Sequence, residues 1–262
     1  RNIGYVPRSR SAAKAQISFT INTTSNTPTL TLTAGLVCIG ASESSTITFS
    51  IPSSITTTVV NGVATFNNID IFQGTFLRKQ FLVDGSLDQR FLLDNSFIDS
   101  STIVVNVTGP NETTIGREYS LASNILNIDS TSETYLIQEV QDEKYELLFG
   151  DGYFGKKLEN GSTITATYII TDGKAGNGST LFSYAGRVLD SDNNPVVPTN
   201  SIEITTNQSA ANGGDIESID SIKYFAPRIY ASQYRAVTAR DYEAIIQSIY
   251  PNTESVAVVG GE

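Results

Sequence analysis

The residues Gly150-Asp151-Gly152-Tyr153-Phe154-Gly155 match the GxGxxG pattern of dinucleotide-binding loops. That chemistry needs a helix directly after the last glycine, whose N-terminal amides receive the pyrophosphate. Here Lys156-Lys157-Leu158-Glu159-Asn160-Gly161 follows instead. Ser162 to Thr171 then alternates, with Ile164, Ala166, Tyr168 and Ile170 on one face. The context is a pair of strands joined by tight turns, and the glycines are expected to supply positive φ. Asp190, Asp192 and Asn194 occupy the first three ligand positions of a calcium loop. Pro195 stands where such a loop needs Gly, and Ser201 where it needs a bidentate Glu, so a solvated turn is expected and no metal. Asp84, Asp88 and Asp94 lack metal-loop spacing as well.

Paired carboxylates for glycoside hydrolysis need no proximity in sequence, and 27 acidic residues supply many pairs. Trp is absent, which thins the usual aromatic platform for sugars. The chain has no His, which removes the commonest general base, the Ser-His-Asp triad and most zinc sites. The expectation is a protein that is not an enzyme, with no catalytic, cofactor-binding or metal-binding residue and no cofactor. What remains is recognition chemistry. Tyr and Arg are enriched at protein interfaces, and Tyr224, Arg228, Tyr230, Tyr234, Arg235 and Arg240 cluster near the C-terminal end as candidate protein-interface residues. Phe225 and Tyr242 are expected in a helix-on-sheet core instead.

The elements that must position these residues are mostly strands. Ile17, Phe19 and Ile21 alternate, as do Thr29 to Thr33 and the set Ile47, Phe49, Ile51. Val59-Val60 and Val63 to Phe66 flank Asn61-Gly62, a two-residue hairpin signal. Further strands are expected at 76–83, 90–93, 102–107, 134–139, 145–149, 201–206 and 255–259. After Gly213-Gly214 the period changes. Ile216, Ile219, Ile222 and Ala226 recur at helical spacing up to Pro227, which is expected to end or kink that helix. Thr238 is the expected cap of a second helix, with Asp241 in the capping-box position and Tyr242, Ile245, Ile246 and Ile249 as its stripe, stopped at Tyr250-Pro251.

Composition narrows the partners. The net charge is −10, so phosphate backbones are repelled and nucleic acid is not expected. The basic cluster Arg1, Arg8, Arg10, Lys14 is expected to pair with acidic protein surface. No run of apolar residues is long enough to span a membrane, and the first residues carry no signal-peptide pattern. The single Cys38, in the run Leu36-Val37-Cys38-Ile39, allows no internal disulfide and is expected buried. The chain contains no Met, so a fragment of a longer protein is expected.

Three segments carry a resemblance: Tyr145 to Leu158, Gly173 to Gly178, and Gly213 to Ile219 continuing through Ala226-Pro227-Arg228 to Arg235–Tyr242. Together they resemble the baseplate J-like family of contractile phage tails. The opening residues Arg1 to Arg10, with Asp84 to Phe91, are most similar to the wedge subunits of T4-like phages, whose dimers build the inner baseplate ring. The resemblance implies a virion tail-baseplate location, no catalysis, self-association as a homodimer or ring, and contact with other wedge proteins, including a lysozyme-like wedge subunit, and with the hub region. It also implies a chain that continues at both ends. Related readings are a baseplate component of a bacterial contractile injection system and a tail-associated glycan-binding adhesin. The expected fold is α+β, mostly antiparallel β: a small β domain over 1–78, a β-rich central domain over 79–212, and a two-helix plus strand segment over 213–262.

Overall fold

The computed structural model describes residues 7–41, 46–86, 89–113, 116–122, 128–232, 235–249 and 255–259. In chain order the strands are β1 Lys14–Asn22, β2 Thr29–Leu32, β3 Gly35–Ala41, β4 Thr46–Ile51, β5 Ile55–Val60, β6 Val63–Gln73, β7 Thr75–Leu82, β8 Phe91–Leu93 and β9 Ile98–Thr108. They continue as β10 Arg117–Leu121, β11 Thr134–Glu139, β12 Tyr145–Phe149, β13 Thr163–Ile170, β14 Phe182–Tyr184, β15 Val188–Leu189, β16 Pro195–Val196 and β17 Ile204–Ala211. The helices are α1 Ile219–Ser232 and α2 Ala239–Ile249. The fold is α+β and mostly antiparallel sheet, as expected. The chain forms two compact units, Ser9–Asp215 and a second made of the stretch before Ser9 together with the chain from Ile216.

The large unit holds two sheets. The first runs β14-β3-β4-β6-β5-β2-β15-β16, with β1 on β6 and β17 on β1. The second runs β7-β13-β9-β10-β11-β12-β8, where β10 and β11 pair in parallel. Alternation dictates the cores. Ile17, Phe19 and Ile21 lie inside the first sheet with Leu30, Leu32, Phe49, Ile51 and Phe66. Leu93, Val105, Tyr135, Tyr145, Leu147, Ile164 and Tyr168 fill the second. Each fully buried side chain of this size contributes about 1.5–3 kcal/mol of transfer free energy. Tyr168 turns its hydroxyl to Asn95 Oδ1 at 2.5 Å, so its polar tip is satisfied.

Two turns show why the residue types matter. At the β5–β6 hairpin, Asn61 and Gly62 both have positive φ (52° and 77°), as a type I′ turn requires. Gly74 (φ 135°) carries the chain from β6 in the first sheet to β7 in the second. A Cβ there would collide with the carbonyl of Ile170.

The sheets are not contiguous in sequence: β17 returns from residue 204 to pair with β1, Phe19 opposite Ile204. The expected boundary near residue 78 falls inside β7. The strand expected at 201–206 is shifted to Ile204–Ala211. Residues 255–259 form no strand, a correction to the expected helical-plus-strand segment. They gain no ladder partner among the described residues; the Val258 amide bonds the Glu243 side chain instead (3.3 Å). Pro227 does not end α1, which continues to Ser232.

Candidate interaction surface

The helical unit is built from short local signals. Ser218 begins α1: its carbonyl accepts the Ile222 amide at 3.0 Å and its hydroxyl the Ser221 amide at 3.2 Å. Glu217, buried just before it, accepts the Arg8 amide at 3.1 Å and the Ser221 hydroxyl at 2.6 Å. Thr238 and Asp241 form the expected capping box. The Thr238 amide donates to Asp241 Oδ2 at 2.8 Å, and the Asp241 amide to Thr238 Oγ1 at 3.3 Å. Those bonds, first the Thr238 amide, hold the Asp241 carboxyl below its ordinary pKa. The two helices pack against each other.

Among the candidate interface residues, the structure joins Tyr224 and Arg228. The guanidinium lies 3.5 Å from the Tyr224 ring centroid and donates to the Tyr224 carbonyl at 2.6 Å. Phe225 meets the same ring edge-on at 4.9 Å. Tyr230, Arg235 and Arg240 are exposed. Tyr234 lies outside the described residues, as do Arg1 and Tyr250-Pro251. Tyr242, expected in the core, is instead 46% exposed, while Phe225 is half-buried. Among the described residues, the helical unit has no fully buried apolar side chain, and Ile219, Tyr230, Val237 and Val259 are largely exposed.

The motifs that suggested chemistry fold as turns. Gly150 bridges Lys157, and Asp151 Oδ1 accepts the Tyr153 and Phe154 amides at 2.8 and 2.9 Å. A strand follows, not a helix. Asp190 accepts the amides of Asp192 and Asn194 at 2.9 and 2.8 Å within the β15–β16 hairpin. No cluster of three potential metal ligands occurs among the described residues. A cleft of 190 Å³ beside Pro110 gathers Arg117, Glu112, Glu133 and Lys156. These four charges are spent on each other: Arg117 reaches Glu133 at 2.9 Å and Glu112 at 3.3 Å, and Lys156 reaches Glu133 at 2.8 Å. The Lys156 bond holds the Glu133 carboxyl below its ordinary range, and the Gly109 amide does the same for Glu112. Neither carboxyl is suited to donate a proton near neutrality. Burial, then the Glu143 charge, pushes Glu139 up, but Glu139 does not line this cleft.

The N-terminal cations pair within the chain: Arg8 with Glu217, Arg10 with Asp215, and Lys14 with Asp70 at 2.7 Å. The structure also shows an exposed aromatic pair, Tyr153 and Phe154, that the sequence had offered only as part of a glycine motif.

These features define a β-rich chain whose exposed chemistry is aromatic and cationic at a helical face. No family model matches it. The chain is 26% identical over 287 aligned residues to baseplate wedge protein gp6 of Enterobacteria phage T4. That alignment covers 96% of this chain and 41% of the relative, so the chain spans less than half of that protein's length.

Proposed function

We propose that this chain is a structural part of a contractile phage tail baseplate, a wedge component of the J-like type rather than an enzyme, that self-associates and joins other wedge proteins. The likeness to the T4 wedge protein along nearly the whole chain supports the virion baseplate role. The observation that carries the association is the helical unit. Ile219, Tyr224, Tyr230, Val237, Tyr242 and Val259 stay exposed, and none of its described apolar residues is sealed in a core. Two helices of 14 and 11 residues are marginal without a packed face. A second subunit laid on Tyr224, Tyr230 and Arg240 supplies that face, as a homodimer or as one contact in a ring. A lysozyme-like wedge subunit is the further partner in this reading.

Sedimentation equilibrium of the wild-type chain and a Tyr230→Ala/Arg240→Glu variant tests it. The wild type is expected to dimerise and the variant to associate markedly more weakly with unchanged β-sheet signal. A wild-type chain that stays monomeric at high concentration would remove the self-association.

A further inference from the structure

The large unit carries a knob and a groove. The knob is the turn after β12, where Tyr153 and Phe154 are 82% and 65% exposed. It is fixed in advance. Asp151 holds both amides, and the Gly155 and Lys156 amides bond the Asp129 and Ser132 carbonyls, each at 2.9 Å. Two aromatic rings held in water on an ordered backbone lose little entropy on docking.

The groove lies where the first sheet fails to close on itself. β17 and the chain before β14 bond at one end, Gly178 amide to Ala210 carbonyl at 2.7 Å and Ala210 amide to Ser179 carbonyl at 2.9 Å. Farther along, among the described residues, β14 pairs only with β3 and β17 only with β1. Two openings of 750 and 650 Å³ occupy the gap. Phe182, Tyr184, Ile202 and Ile204 line it and are only partly covered.

Charge selects the occupant. Copies of net charge −10 repel one another, so a contact between them needs locally opposite charges. Beside the knob, Lys156 is engaged by Glu133, whereas Lys157 is exposed and forms no ion pair among the described residues. The groove has one charged lining residue, Glu203, also exposed and without an ion pair among the described residues.

We propose that the Tyr153–Phe154 knob of one copy seats in the β14–β17 groove of a second copy, with Lys157 facing Glu203. Knob and groove lie on different sheets of one unit, so the contact joins two unlike surfaces, once per neighbour along a series of copies or twice within a reciprocal pair. It rests on the self-association proposed above and gives it a second surface, separate from the helical face.

Sedimentation velocity on the full chain across a concentration series decides the matter, with circular dichroism verifying the fold. Phe154→Ala, Lys157→Glu and Glu203→Lys are each expected to weaken association roughly tenfold. The Lys157→Glu/Glu203→Lys double variant is expected to restore it. Single variants that associate like wild type, or a double variant as weak as the singles, overturn the contact. Tyr230→Ala separates the two readings. Association lost there but kept in Phe154→Ala leaves the helical face standing and rejects the knob; the reverse pattern rejects the helical face and keeps the knob.

Discussion

Tyr184 packs its ring against Phe19, centroids 5.3 Å apart, yet buries its hydroxyl without a partner among the described residues. Burial pushes that hydroxyl's pKa up to about 12, so it stays protonated, a donor unmatched among the described residues. Tyr184→Phe keeps the ring and removes the cost; stability in denaturant titration is expected to hold or to rise by up to ~1 kcal/mol. The Arg90–Glu146 pair behaves oppositely. Two bonds of 2.7 and 2.6 Å join the guanidinium to a mostly buried carboxylate and lower the pKa of Glu146. A lowered folded pKa adds stability that is present above the unfolded value, about 4.3, and is lost as pH falls through the folded one. Arg90→Ala is therefore expected to melt below wild type at neutral pH, with the difference closing under acid conditions; a gap that persists in acid would mean Arg90 acts through packing. Single-residue expectations fared unevenly against the structure. Cys38 is buried as its apolar neighbours imply, and burial raises its thiol to about 12. Tyr242 is exposed while Ile245 and Ile246 of the same stripe are half-buried, and no apolar side chain of that unit is fully buried among the described residues.

At the level of elements, alternation was the legible signal. β1, β4 and β13 are long enough for one face to be uniformly apolar, and each buries that face. The Asn61-Gly62 hairpin and the Thr238–Asp241 cap were legible because local bonding alone decides them. β10, with its charged Arg117 and Glu118, and the three-residue β14 were not. Their place comes from distant partners, β9, β11 and β3, which no local pattern encodes. Two substitutions probe this scale. Thr238→Ala removes the cap and is expected to cost ~1 kcal/mol, read as lost protection of the first-turn amides of α2. Gly74→Ala forces a side chain into a left-handed site against the Ile170 carbonyl. A loss of at least ~1–3 kcal/mol is expected, with both sheets affected because one residue links them.

At the scale of the molecule, the two units differ in what holds them. Sheet ladders and two apolar clusters sustain Ser9–Asp215, whereas the helical unit has no described apolar residue fully buried. Native-state hydrogen exchange is expected to open α1 and α2 well before β1, β6 and β13, and association to slow the helical amides selectively. Equal protection in both units would contradict that ordering. The large unit also begins and ends beside itself: Ser11 and Gly214 exchange both backbone bonds at 3.0 Å. Since the flanking chain on either side belongs to the other unit, residues 9–215 are an insertion whose two ends already meet. Such a cassette can be lifted out and its gap closed by a few glycines, or its ends fused and the chain reopened at an exposed turn such as Asn61-Gly62, without unpicking a single interior strand.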